Sequence, residues 1–275
     1  MAKILTSSGL GEETYLPPAL HYIPPKPHQQ ESIKEAEMVL PPIMEDLLSK
    51  TKISPRDIDI LIVNCSGFCP SPSLSAIITN KFSMRDDVKS FSLSGMGCSA
   101  GAIAIDMAQN LLKVHKNSYA VVLSTEILST GWYPGHEKSK LLLNCTFRMG
   151  VREEDSEGKL GVTIHRDFLQ IFGETLKSNL TILGSPVIRE MAKGLKLGEK
   201  EVEAAFMTLR RFGNQSSSSL WYELAYLEAK EMVKKGDKVW LLGIGTGPKC
   251  CSLVWECLRP IVGESNTGPW AGSIN

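Results

Sequence analysis

The chain has 275 residues, 43% of them hydrophobic and 22% charged, with Lys plus Arg equal to Asp plus Glu at 30 each. That balance suits one large domain or two closely packed halves. It excludes a disordered chain, a strongly basic nucleic-acid binder and a polybasic membrane-surface protein.

Residues 1 to 30 read as irregular. The prolines of GEETYLPPALHYIPPKP forbid a long helix, and the apolar residues between them suggest an arm packed on a surface. From Glu31 to Lys50, residues Ala36, Val39, Leu40, Ile43, Leu47 and Leu48 fall at helical spacing. Pro41 and Pro42 are expected to break this helix in two, the second piece starting with proline in its first turn.

Asp57 to Asn64 is a nearly continuous apolar run, as expected for a strand buried on both faces. Past the turn residues Gly67, Pro70 and Pro72, Ser73 to Phe82 reads as a helix, Val88 to Leu93 as the next strand and Tyr119 to Ser124 as a third buried strand. Between the last two lies SFSLSGMGCSAGAIAIDMAQNLLK, where an apolar run stops at Gly95 and Gly97. Cys98 follows, and then small and aliphatic residues continue to Leu112. That is a strand, a tight turn and a buried helix with a thiol at the helix entrance. Strands alternating with helices in this way indicate parallel β-α-β units in a layered α/β fold.

Past Leu128 the regularity weakens. LSTGWYPGHEKSKLLLNCTFRMG reads as a loop with an aromatic turn and a short apolar piece, and VREEDSEGKLG as an exposed charged loop. Thr163 to Leu183 reads as helical, and Ile188 to Leu209 as an amphipathic segment. In RRFGNQSSSSLWYELAYLEAKEMVKKG the serine run can cap a helix beginning near Ser218. KVWLLGIGTG and KCCSLVWECL read as two strands joined by a glycine turn, and GESNTGPWAGSIN as a loose tail.

Two residues are candidates for chemistry. At a helix entrance, unpaired N–H groups and the helix dipole stabilise an anion, which suits a reactive thiolate at Cys98. The alternative is a small core cysteine packed where strand meets helix. Asn214, after Gly213, reads either as a turn or cap residue or as an amide aimed at a developing oxyanion. The residues alone leave both choices open. Of His21, His28, His115, His136 and His165, none lies in a setting that suggests a catalytic base. GIGTG at Gly243 to Gly247 lacks the following helix of a dinucleotide-binding loop, although a close backbone approach remains open to it. Cys65 with Cys69, and Cys250 with Cys251, lack the spacing and histidine partners of a zinc site and read as structural, so no metal or redox cofactor is expected. Seven cysteines without framework spacing, and no secretory signal, suit a reducing compartment. No window approaches the roughly 20 apolar residues needed to cross a bilayer, so no membrane span is expected.

The motifs GMGCSAG and RFGNQSSSSLWYELAY, with SGLGEETYLPPALHYIPP, DIDILIVNCSGFCPSPSLSAIITNKF and KKGDKVWLLGIGTGPKC, resemble the plant 3-ketoacyl-CoA synthases. These are the condensing enzymes of very-long-chain fatty acid elongation. The resemblance implies a thiolase-like α-β-α-β-α fold, incomplete in its second half, with residues 1–150 as the nucleophile-bearing half and 151–275 as the other. It implies that Cys98 accepts the acyl group and that Asn214 is the amide of a Cys-His-Asn set. It makes long-chain acyl-CoA and malonyl-CoA the substrates, with an acyltransferase reaction that needs no cofactor. It also implies a homodimer or elongase complex at the endoplasmic reticulum membrane, with no nucleic-acid partner.

Three departures accompany the resemblance. The family carries two membrane-spanning segments ahead of SGLG, close to where this chain starts, so this chain is expected to be cytosolic or peripheral. Gly150 runs straight into Val151, where the family has a further stretch. The family's histidine lies in a His-x-Gly-Gly motif, but here GSPV joins IREM directly and the motif is absent. A non-catalytic form, able at most to bind a full-length partner, is therefore the alternative expectation.

Overall fold

A computed structural model describes residues 8–11, 14–26, 28–137, 144, 151–154, 160–163, 184–245, 249–266 and 268–274. The chain forms two compact units: Leu16–Trp132 with Gly243–Cys251, and Met1–Tyr15 with Tyr133–Leu242 and Ser252–Asn275.

The first unit is built around strand β1 (Ile58–Asn64), flanked by β2 (Lys89–Leu93) and β3 (Tyr119–Ser124) in the order β2-β1-β3. Both pairings are parallel, with Ile62 opposite Phe91 on one side and Val122 on the other. The apolar run of β1 has a direct cause. Ile58, Leu61 and Val63 enter one core with Ala36, Leu40 and Met44 of α1 (Gln29–Thr51) and Leu74 and Ile78 of α2 (Leu74–Lys81). Ile60 and Ile62 enter a second core with Ala104 and Ala108 of α3 (Ala100–Val114). Helices thus cover both faces of β1, and where the strand ends on the buried Asn64 its Oδ1 accepts from the Ser124 hydroxyl at 2.7 Å. The flanking strands are less enclosed. In β3 only Leu123 is fully buried, where a strand buried throughout was expected.

One local expectation fails in this unit. α1 runs unbroken through Pro41 and Pro42. Proline withholds a backbone N–H and crowds the preceding turn. Here Ala36, Leu40 and Met44, each at most 1% exposed, bury one helical stripe across the prolines, and Pro41 is itself buried. Tertiary packing holds the helix that the local rule would divide. The N-terminal arm is enclosed at Ala19 and Leu20, while Tyr15 and Ile23 stand exposed.

In the second unit, the segment expected to be an exposed charged loop, residues 151–161, contains one strand and the start of another. β4 (Val151–Glu154) and β5 (Leu160–Thr163) pair antiparallel, with Arg152 opposite Val162. The amphipathic stretch divides into α4 (Ser185–Leu195) and α5 (Glu199–Phe212), separated where Lys196 adopts a left-handed conformation. α6 (Ser219–Ala229) follows, and then β6 (Lys238–Gly245) pairs with β7 (Lys249–Glu256), the joined ends of the two strands, Gly243–Cys251, belonging to the first unit. The closing segment is not a loose tail. Trp270 is 1% exposed, its Nε1 donates to the Tyr222 carbonyl at 2.8 Å, and its ring meets Phe212 and Tyr226 edge-on. The helix expected over 163–183 falls outside the described residues apart from Thr163, which ends β5.

Candidate active site

In an open parallel sheet, ligand sites form beyond the carboxyl ends of the strands. In the first unit those ends carry three polar segments: Cys65–Gly67 after β1, Gly95–Cys98 after β2 and Thr125–Glu126 after β3.

After β2 the chain turns through Gly95 and Gly97, whose φ values of 69° and 65° lie in the left-handed region that favours glycine. Gly97–Ser99 forms a single 3₁₀ turn, and α3 begins at Ala100. Cys98 therefore sits at the helix entrance, half-buried, between the fully buried Gly97 and Ser99. Ser99 Oγ donates to the Met96 carbonyl at 2.9 Å and closes the turn on itself.

The last residue of β6, Gly245, reaches this point. A β-carbon on Gly245 would lie 2.8 Å from the Met96 carbonyl oxygen, 2.9 Å from Ser99 Oγ and 3.2 Å from the Ser99 nitrogen. The close backbone approach left open for GIGTG is thus made to the two residues bracketing Gly97 and Cys98.

Two residues that the sequence did not single out complete the setting. Ser66 Oγ donates to the Gly97 carbonyl at 2.8 Å, and Gly95 N–H donates to the Ser66 carbonyl at 3.1 Å. Glu126 Oε1 accepts from Gly67 N–H at 2.7 Å and from the Cys65 thiol at 3.5 Å. Burial first, and then the Glu126 carboxylate, push the Cys65 thiol well above the ordinary cysteine range, so it stays protonated. The available signal was topological: both residues follow the carboxyl end of a strand in the same sheet.

Asn214 belongs to the second unit. It follows Gly213, whose φ is +76°, and precedes the 3₁₀ turn Ser216–Ser218 that opens α6. Its Oδ1 accepts from Ser216 N–H at 2.9 Å, the local turn bond expected of the structural reading. That bond fixes the amide and leaves Nδ2 as the end with protons to donate. The serines do not cap α6 with their side chains; instead Ser216, Ser217 and Ser218 are buried in the turn itself. His21, His28 and His136 are exposed, and His115 closes the far end of α3 from Cys98. His165 lies outside the described residues. Among the described residues no three His, Cys, Asp or Glu side chains gather as a metal site.

The fold is that of the thiolase-like condensing enzymes. The chain aligns with 1,3,6,8-tetrahydroxynaphthalene synthase from Streptomyces coelicolor, a type III polyketide synthase, at a TM-score of 0.71 and 16% identity, over 94% of this chain and 88% of that one. A fungal type III polyketide synthase aligns at a TM-score of 0.68 and 13% identity, over 93% and 89%. Residues 1–152 match the FAE1/type III polyketide synthase-like family, and residues 183–257 match the C-terminal domain of 3-oxoacyl-[acyl-carrier-protein] synthase III. Two Arabidopsis thaliana proteins, 3-ketoacyl-CoA synthase 6 and 3-ketoacyl-CoA synthase 9, are each 41% identical over 99% of this chain, which spans 72% and 70% of their lengths. The chain belongs to the 3-ketoacyl-CoA synthase family. Each alignment is 357 residues long where this chain has 275, so these relatives carry internal segments that it lacks. Among the described residues no helix is long and apolar enough to cross a membrane.

Proposed function

We propose that this chain carries out the family's acyl transfer at Cys98, with Asn214 serving the condensation that follows. The Cys98 thiolate attacks the thioester carbonyl of a long-chain acyl-CoA. The bond to the CoA sulfur breaks, and CoA leaves as a thiolate that takes up a proton. Malonyl-CoA then loses carbon dioxide, and its carbanion attacks the Cys98 thioester. This releases 3-ketoacyl-CoA and returns the thiolate. The observation that carries the reading is the left-handed glycine turn that holds Cys98 half-buried at the entrance of α3, where helix N–H groups favour an anion. The Asn214 amide, fixed through Oδ1, has its Nδ2 protons for the enolate oxygen.

The family shares that oxygen between a histidine and an asparagine, and the His-x-Gly-Gly motif is absent here. Loss of one such donor typically costs about 10²–10³-fold, so condensation by this chain is expected to lag far behind acylation of Cys98. The named relatives favour an enzyme over a purely non-catalytic binding partner. The extents of the two family matches support a division into halves near residue 150. Residence at the endoplasmic reticulum membrane and pairing as a homodimer or within an elongase complex belong to the same proposal.

The test is to expose the purified chain to long-chain acyl-CoA and weigh it intact. An acyl adduct is expected that is absent from Cys98→Ala. Adding malonyl-CoA should then release 3-ketoacyl-CoA slowly, and more slowly still with Asn214→Ala. A Cys98 that stays unmodified would sink the reading.

A further inference from the structure

Cys98 is presented by a turn whose two glycines have little conformational preference of their own, so something outside the turn must fix it. Ser66 grips it at both ends: its carbonyl accepts from Gly95 N–H, and its hydroxyl donates to the Gly97 carbonyl. Ser66 is 8% exposed, so little water competes for either bond. The Ser66 loop is held in turn, since Glu126 takes the N–H of Gly67 and the thiol of Cys65 on either side of it. The chain of contacts runs from the end of β3, through the end of β1, to the turn after β2.

The Gly97 carbonyl also accepts the Ala100 N–H, which begins the helix entrance. The helix can therefore start without Ser66. What the Ser66 hydroxyl adds is direction. A peptide unit is planar and trans, with C=O and N–H pointing in opposite senses. Fixing the Gly97 carbonyl fixes the Gly97–Cys98 peptide plane, the direction of the Cys98 N–H and the start of the Cys98 side chain.

We infer that Ser66 is a positioning residue for Cys98, setting the peptide plane from which the thiol attacks an acyl thioester. The inference rests on Cys98 being the nucleophile. Attack on a thioester carbonyl is demanding of angle and distance, and misplacement of about 1 Å costs on the order of 10²-fold. Alkylation by a small electrophile such as iodoacetamide depends on thiolate fraction and access instead.

The test compares the whole chain with Ser66→Ala and Ser66→Thr in two reactions at Cys98: transfer from a long-chain acyl-CoA, and alkylation by iodoacetamide across pH, both read by intact mass. Ser66→Ala is expected to slow acyl transfer about 10- to 100-fold while leaving alkylation and its pH profile within about twofold. Ser66→Thr, which keeps the hydroxyl, should restore most of the transfer rate. Transfer by Ser66→Ala at the unsubstituted rate, or an equal loss in both reactions, overturns the inference. If acyl-CoA leaves the unsubstituted chain as unmodified as Cys98→Ala, the nucleophile reading fails separately. The positioning role is then read by hydrogen exchange of the amides from Gly97 to Ala100. Exchange about tenfold faster in Ser66→Ala sustains it, and unchanged exchange overturns it.

Discussion

Gly245 and Ser99 leave no room for a β-carbon between them: one built on Gly245 would stand 2.9 Å from Ser99 Oγ. The other two close atoms, the Met96 carbonyl oxygen and the Ser99 nitrogen, are backbone and cannot swing aside. Gly245→Ala must therefore move the turn that carries Cys98. A stability loss of about 1–3 kcal/mol is expected from overpacking, with acyl transfer at Cys98 slowed about 10²-fold. Thermal unfolding and intact-mass kinetics check both. Gly95→Ala is the contrast, because its β-carbon meets nothing within 4 Å and only the left-handed backbone, at φ +69°, opposes it.

Trp270 ties the closing segment to α5 and α6 through Phe212, Tyr222 and Tyr226. Truncating a buried aromatic costs about 3–5 kcal/mol. Trp270→Ala is expected to lose that much in urea unfolding, whereas Trp240→Ala, at a half-exposed ring, should lose much less.

Glu35 of α1 is a buried carboxylate that accepts from Leu128 N–H at 2.6 Å, Ser129 N–H at 2.8 Å and the Ser129 hydroxyl. It fastens the segment after β3 to the helix on the sheet's face. Glu35→Ala leaves buried donors without an acceptor, with an expected cost of about 2–4 kcal/mol. Glu35→Gln, which keeps one carbonyl acceptor, should cost less. Equal melting curves for Glu35→Ala and the unsubstituted chain would refute this role.

Glu223 on α6 sets a pH dependence. The residue is half-buried, but its carboxyl is enclosed, and burial pushes its pKa from the ordinary 4.5 up to about 7. The unfolded chain thus ionises first. Stability contributed below pH 4.5 declines as pH rises toward 7 and is flat above it. At about 1.4 kcal/mol per pH unit the whole decline is on the order of 3 kcal/mol. Glu223→Gln should flatten the curve over that window and stabilise the chain at pH 8, as read by urea midpoints from pH 4 to 8.

Several elements were legible because their cause is local or periodic. The apolar run of β1 requires helices on both faces, and Ser73 marks the start of α2 by accepting from the Ala76 N–H. Gly95, Gly97 and Cys98 spelled out a turn and a helix entrance before any fold was known. The misreadings share one feature: a distant segment decides the outcome. β4 looks like a charged loop until β5 satisfies its backbone. Pro41 and Pro42 look like helix breakers until Ala36, Leu40 and Met44 are buried together. Trp270 looks like part of a tail until α5 and α6 supply its cage.

The sequence by itself determined that this chain is an α/β protein of the 3-ketoacyl-CoA synthase family, with Cys98 at a helix entrance and Asn214 before another. Those features are written in glycine positions, hydrophobic periodicity and specific motifs, all readable within a few tens of residues. Only the tertiary structure decided what surrounds Cys98. Ser66 reaches the turn, and Glu126 holds the Ser66 loop, because a parallel sheet gathers the carboxyl ends of its strands at one edge, while Gly245 arrives from the end of β6 in a separate sheet. Spacing along the chain carries no record of that edge, which exists only once β1, β2 and β3 have paired.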